Sequence, residues 1–294
     1  MATGGSKTDT PTAKILANLK LLSARNADRA ENDKQVPIVL LMTGSFCPVH
    51  RMHVHAMEEA RRAVEACGHH MVVGGFLSPS HDSYVSMKLG DESIPASSRV
   101  DMCALATEAS DFLATDPWES SVDTFYDYPV VANRLQRWAR AALHDSDIQV
   151  AYVCGADHAM ACPLYALKLK KIGVVVVQRG DNNQDFLALH QKLLSQLGEG
   201  NFWVAGVSPQ LQERFEAEHV SRGRRIYYRL SSRLPGHSSE DSDSAASDEE
   251  ESQHNTPTDF SVSSTKVRKY LRAHNYSALE GLVHPAVIDY LRDL

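Results

Sequence analysis

The sequence predicts an α/β domain in which helices cover both faces of a parallel sheet, and three observations carry that expectation. Short apolar runs alternate with stretches of helical periodicity. The residues best suited to chemistry gather at the ends of those runs, where ligands bind in open parallel sheets. A 294-residue chain that is 43% apolar also has enough material for a substantial core.

Residues 13 to 29 come first, with Ile15, Leu19 and Leu22 at helical steps. Asp9, Asp28 and Glu31 are contrary to an acid-poor mitochondrial presequence, so residues 1–35 are expected to be an extension packed on the domain 36–294. Val36, Ile38, Val39 and Leu40 suit a strand buried on both faces. Thr43-Gly44-Ser45 then lets backbone N–H groups approach an anion, and Pro48 stops strand pairing. From His53 the pattern is helical, through Met57, Ala60 and Val64. Met71 to Leu77 reads as a second strand and Ser97 to Ala109 as a helix. Phe112 to Thr115 reads as a third strand and Val130 to Leu143 as a helix, with further strands at Gln149 to Cys154 and Gly173 to Gln178. At the carboxyl ends of these strands stand Gly44-Ser45, Ser78-Pro79, Trp118 and Gly155-Ala156-Asp157.

The strand, loop and helix start around Gly44 suit a phosphate, because a helix N-terminus offers unpaired N–H donors and the positive end of its dipole. His50 and His53, three apart, are also compatible with metal ligation or with an ordinary helix start. Zinc would require further ligands. His55, His69 and His70 are near, but no Cys-x-x-Cys or His-Glu-x-x-His spacing accompanies them. Neither a Walker A motif nor Gly-x-Gly-x-x-Gly is present, which argues against a P-loop kinase and a dinucleotide-dependent dehydrogenase. A second phosphate-type helix start lies at Ser263 to Arg268, ahead of Tyr270 and Leu271. Ser and Thr there are N-caps, while Lys266 and Arg268 add charge and a forked donor. Two such starts can converge on one polyphosphate.

The net charge of −7 arises in one segment. His237 to His254 holds seven acidic residues and no Lys or Arg; setting those seven aside leaves 30 acidic residues, equal to the 30 basic ones. The balanced remainder has no excess charge to draw it to nucleic acid or membrane. The Ser-rich acidic stretch 234–257 cannot build a core and is expected to be a disordered insertion. It reads either as a tolerated loop or as a target for acid-directed kinases. Five scattered cysteines, at 47, 67, 103, 154 and 162, suggest reduced thiols in the cytoplasm, with the nucleus second. No apolar run approaches membrane-spanning length.

Taken together, Gly44-Ser45-Phe46 with Pro48 and His53, Ser78-Pro79 with Asp82 and Tyr84, Ile94-Pro95-Ala96 with Arg99, Pro117-Trp118-Glu119-Ser120, Gly155-Ala156-Asp157 and Ser263 to Arg268 resemble, in order, the motifs of nicotinamide mononucleotide adenylyltransferases of the eukaryotic type. The resemblance implies a Rossmann-like fold of the nucleotidyltransferase superfamily. It also implies transfer of AMP from ATP to nicotinamide mononucleotide, or to the nicotinate form, giving NAD and pyrophosphate. Mg²⁺ would be held mainly by substrate phosphates, and a homo-oligomer is expected. Catalytic positions carried over are His53, Arg268 and His50. The ATP side comprises Gly44, Ser45, Phe46, His53, Lys88, Gly155, Asp157, Thr265, Lys266 and Arg268; the mononucleotide side comprises Ser45, Tyr84, Trp118 and Tyr165, with Trp118 expected to stack on the pyridine ring. A sibling transferase for another phosphate ester, and a non-catalytic nucleotide-binding module, are the other readings.

This chain departs from the family most visibly in the acidic segment 234–257, and also at three single positions. Lys88 stands offset where a lysine cluster is usual, Tyr165 stands where a Leu-Trp pair is usual, and Cys47 replaces the commoner Asn or Asp. The last placement leads to the expectation that alkylating Cys47 inhibits.

Overall fold

The computed structural model describes residues 9–145, 147–178, 183–206 and 262–294. Six parallel strands form its sheet: β1 (Val36–Gly44), β2 (His70–Pro79), β3 (Leu113–Thr115), β4 (Gln149–Gly155), β5 (Gly173–Val177) and β6 (Phe202–Ala205). They lie in the order β3-β2-β1-β4-β5-β6. The chain therefore runs outward from β1 in one direction, then crosses back to β4 beside β1 and runs outward in the other. That reversal leaves a crevice between β1 and β4 at their carboxyl ends.

The apolar runs are continuous because the sheet is covered on both faces. Successive β1 side chains divide between two cores: Val39 and Leu41 join one, and Ile38, Leu40 and Met42 join the other. On β5, Val174 and Val176 face the first core, and Val175 and Val177 the second. The first face is covered by α1 (Ala13–Ala27) and α6 (Tyr128–Ala142), with Leu167 of α8 (Tyr165–Leu169) and Leu189 and Leu193 of α9 (Asn183–Leu197). On the second face lie α2 (Arg51–Glu65), α4 (Ala96–Thr107), α10 (Ser264–Arg272) and α11 (Pro285–Arg292). The remaining short helices are α3 (Asp82–Leu89), α5 (Trp118–Ser121) and α7 (Ala156–Ala161).

Helix α1 is an integral part of the domain. Ile15 and Leu22 are buried in the first core, each worth about 1.5–3 kcal/mol of apolar transfer. Ile15 fits because position 74 is glycine; a Cβ there would lie 2.5 Å from its side chain. The ladder between β1 and β2 shifts register at this point, between Ile38 and Val39. Lys14 Nζ donates to the carbonyls of Thr107 and Leu113, at 2.8 and 2.7 Å, tying α1 to the β3 edge.

The expected strands are all present, with ends displaced by a residue or two. Helix α2 differs more usefully: it begins at Arg51 rather than His53, so His50 is its N-cap in an extended conformation. Among the described residues no helix is long and apolar enough to cross a membrane. The acidic insertion lies outside the described residues.

Candidate active site

The crevice at the ends of β1 and β4 holds a cavity of about 340 Å³. Its lining includes Gly44, Ser45, Phe46, His53, Lys88, Gly155, Asp157, Thr265 and Arg268, so residues from five separate stretches of sequence meet there. The Gly44–Phe46 loop is held by Arg99, which is fully buried. Its guanidinium donates to the carbonyls of Ser45 at 3.0 Å and Ile94 at 2.8 Å, and to the Asp82 carboxylate at 2.8 Å. Phe46 has a positive φ of 41°, which turns the chain sharply after Ser45. Ser45 Oγ is buried with no hydrogen-bond partner among the described residues, a donor left for a ligand at the cavity wall.

His53 is fixed by its neighbours. Its Nδ1 accepts from the His50 backbone N–H at 3.1 Å, and its ring stacks on His50 at 3.7 Å and meets Phe46 edge-on at 4.9 Å. An Nδ1 that accepts leaves the proton on Nε2, so the neutral ring presents an N–H donor. His50 is nearly buried and lies outside the cavity lining, and its Nε2 lies 3.2 Å from Ser264 Oγ. It joins the starts of α2 and α10, two helix N-termini aimed at one crevice.

On α10, Ser263 caps the helix by accepting from the Lys266 N–H at 3.3 Å. Thr265 and Arg268, three apart, share one helix face toward the cavity. Lys266, about 100° around the helix from Thr265, lies outside it. The Arg268 guanidinium donates to Glu92 Oε2 at 2.7 Å, the Cys47 carbonyl at 3.4 Å and Thr265 Oγ1 at 3.3 Å. Asp157 lies in the first turn of α7 directly after β4, and a Cβ at Gly155 would sit 2.5 Å from Asp157 Oδ1 and push that carboxylate aside.

Of the residues expected on the mononucleotide side, Ser45 lines this cavity, whereas Tyr84, Trp118 and Tyr165 lie outside it. Trp118 is half-buried, stacked with Tyr126 at 5.7 Å and with the Arg134 guanidinium 4.9 Å from its ring centroid. Tyr84 stacks on Phe125 at 4.8 Å and lies beneath Lys88. Tyr165 is 55% exposed on α8. Tyr84 and Trp118 are placed by tertiary neighbours that a linear motif does not encode. Cys47 also departs from expectation. It is 1% exposed, and its Sγ donates to the Glu92 carbonyl and accepts from the Ile94 N–H, both at 3.3 Å. Burial pushes its thiol above the ordinary value, conditions that leave little thiolate for an alkylating reagent.

Sequence reasoning missed Tyr152, which lines the cavity with its hydroxyl 3.1 Å from Thr43 Oγ1, and Glu92. Alternation along β4 identifies Tyr152 as inward-facing, although its neighbour Cys154 shares that signal. Glu92 carries none, because its partners lie far along the chain.

Glu119 is 1% exposed and accepts from Ser78 Oγ at 3.3 Å. Burial pushes its carboxyl up to about 8, the serine hydrogen bonds and Arg99 opposing, Asp116 adding. The folded protein thus keeps a proton that the unfolded chain loses near pH 4.5. Stability falls as pH rises between those values, by up to about 1.4 kcal/mol per unit. Glu119→Gln should therefore melt progressively higher than the wild type as pH rises from 5 to 8. Parallel melting curves across that range would refute the assignment.

The chain matches the cytidylyltransferase-like family over residues 41–270. It is 41% identical over 95 residues to the nicotinamide/nicotinic acid mononucleotide adenylyltransferase 2 of Danio rerio, covering 32% of this chain and 30% of that one. To the Arabidopsis thaliana nicotinamide/nicotinic acid mononucleotide adenylyltransferase it is 34% identical over 122 residues, 41% of this chain and 49% of that one. To the adenylyltransferase 2 of Xenopus tropicalis it is 28% identical over 196 residues, 65% and 59%. The chain thus spans between about a third and three-fifths of the length of these relatives. The family match runs from β1 into α10 and so takes in both helix starts that face the cavity, and the chain belongs to the cytidylyltransferase-like family.

Proposed function

We propose that this protein transfers AMP from ATP to nicotinamide mononucleotide, and to the nicotinate form, yielding NAD or its acid analogue and pyrophosphate. The observation that carries this reading is the convergence of two helix starts, with His53, Lys88 and Arg268, on one crevice at the strand-order reversal. The curated relatives named as mononucleotide adenylyltransferases support the choice of substrate.

The chemistry is in-line displacement. An ionised phosphate oxygen of the mononucleotide attacks the α-phosphorus of ATP, a new phosphorus–oxygen bond forms, and the bond to the β-phosphate oxygen breaks, releasing pyrophosphate. The attacking oxygen is already an anion at neutral pH, so no side chain has to take a proton. The protein's task is positioning and charge stabilisation. The Gly44–Phe46 loop receives the reacting phosphate with backbone donors, His53 donates from Nε2, and Arg268 and Lys88 hold the departing end. Asp157 accepts from ribose hydroxyls.

Among the described residues the lining carries one carboxylate, Asp157, against His53, Lys88 and Arg268, a donor set that suits phosphate oxygens. Mg²⁺ is accordingly proposed to arrive on the ATP phosphates, where it neutralises charge. The test is to combine the protein, ATP, Mg²⁺ and nicotinamide mononucleotide and to quantify NAD and pyrophosphate, with nicotinate mononucleotide in parallel. Equimolar NAD and pyrophosphate are expected. Absence of both would overturn the proposal.

A further inference from the structure

Arg268 is tied to a carboxylate that no motif contains. Glu92 ends a short 3₁₀ turn (Gly90–Glu92) between α3 and α4, and its two oxygens take different arginines of α10: Oε2 accepts from Arg268 Nε at 2.7 Å, and Oε1 accepts from Arg272. The Glu92 carbonyl accepts from Cys47 Sγ, and the Cys47 carbonyl accepts from Arg268. Glu92, Cys47 and Arg268 thus close a ring that joins the turn after Lys88, the phosphate loop and α10. Arg268 is only 14% exposed at its side chain and Glu92 is 31% exposed, so the pair is partly shielded from water, whereas Arg272 at 61% is mostly solvated.

This geometry has two effects on a bound polyphosphate. With Nε occupied by Glu92, the guanidinium is held at a fixed angle, and its NH1 and NH2 edge is the part turned to Cys47 and Thr265 at the cavity wall. At the same time, a fixed negative charge stands behind the cation that would hold the outer phosphates, offsetting part of its attraction. Both products leave as anions, so a site with Lys88, His53 and Arg268 and no carboxylate behind that arginine would hold pyrophosphate tightly.

We propose that Glu92 is a positioning residue for Arg268 whose carboxylate weakens the site's hold on pyrophosphate, setting how readily that product leaves. This rests on the adenylyl-transfer reading of the same crevice. The test measures binding of inorganic pyrophosphate by calorimetry to the full chain and to two variants, at low and high salt. In Glu92→Gln the amide oxygen can still accept from Arg268, but the charge is gone; pyrophosphate should bind about tenfold tighter at low salt. The difference should shrink at high salt, where surface-accessible charges are screened. Glu92→Asp keeps the charge and should return affinity to within about twofold of the wild type. A Glu92→Gln affinity equal to or weaker than wild type overturns the proposal, as does a tightening that Glu92→Asp shares or that salt leaves unchanged, or a wild type that binds no pyrophosphate. A wild type that binds pyrophosphate but forms no NAD would sink the adenylyltransferase reading and leave this inference to stand or fall on the binding data.

Discussion

Replacing His53 with alanine should lower kcat for NAD formation by about 10²–10³-fold, the usual consequence of removing one preorganised donor from a developing anion. The expectation follows from how the ring is held. With Nδ1 occupied by the His50 N–H and both His50 and Phe46 packed against it, the imidazole has little freedom, and its Nε2–H costs no reorganisation when charge develops. His53→Ala also leaves the His50 N–H without its acceptor at the start of α2, at a cost of about 1–3 kcal/mol. A companion His53→Asn variant, whose side-chain oxygen can still cap that N–H, separates the two losses. Steady-state NAD production and thermal melting on both variants give the answer: if His53→Asn melts like the wild type and turns over within threefold of it, His53 has no part in the chemistry.

The second large effect is on stability and lies at the β3 edge of the sheet. Asp116 is fully buried after β3 and accepts from Thr10 Oγ1 at 2.7 Å, the Trp118 N–H at 3.3 Å and Arg134 at 3.0 Å. Burial pushes its carboxyl up, and Arg134 is foremost among the groups that oppose this. Arg134→Met keeps much of the side chain's volume while removing the cation that, among the described residues, is paired with Asp116. An uncompensated buried charge of this kind costs about 3–5 kcal/mol. Chemical denaturation should show that loss, and Asp116→Asn in the Arg134→Met background should recover a large part of it, because the neutral amide needs no counter-ion. If Arg134→Met unfolds within about 1 kcal/mol of the wild type, Asp116 takes up a proton in place of its cation and the buried-charge argument fails.

The fold was legible because its signal is local. A strand buried on both faces writes an unbroken apolar run, and β1, β4 and β5 each do so. Strand β6 was missed because four residues, Phe202 to Ala205, are too few to establish a period, and its Trp203 is explained only by the second core. Of the expected site residues, the structure brings to one cavity Gly44, Ser45 and Phe46 in a loop, His53 and Lys88, Gly155 and Asp157 at a strand end, and Thr265 and Arg268 on one helix face. Lys266 shows the limit of adjacency, since the next residue along a helix faces elsewhere. Trp118 shows the limit of motifs. Its indole is set by Tyr126 and by Arg134, one of them on the next helix, and a Pro-Trp-Glu-Ser string contains neither. Glu92 was invisible for a stronger reason: its acceptor role depends on arginines 176 and 180 residues away.

Helix α1 has a consequence for the order in which the molecule assembles. Its anchors are distant in the chain: Thr10 is bound by Asp116, 106 residues on, and Lys14 by the carbonyl of Leu113, 99 residues on. During synthesis the helix leaves the ribosome before any strand of the sheet. At about 5–20 residues per second, the segment that receives it follows about 5–20 s later. Until that segment arrives Ile15 and Leu22 have at most the β1 and β2 part of their core to enter, and a lone 15-residue helix is marginal in water. The segment made ahead of the sheet is thus obliged to dock after it. The nascent chain carries an unsatisfied apolar face through the time in which chaperones and proteases can reach it.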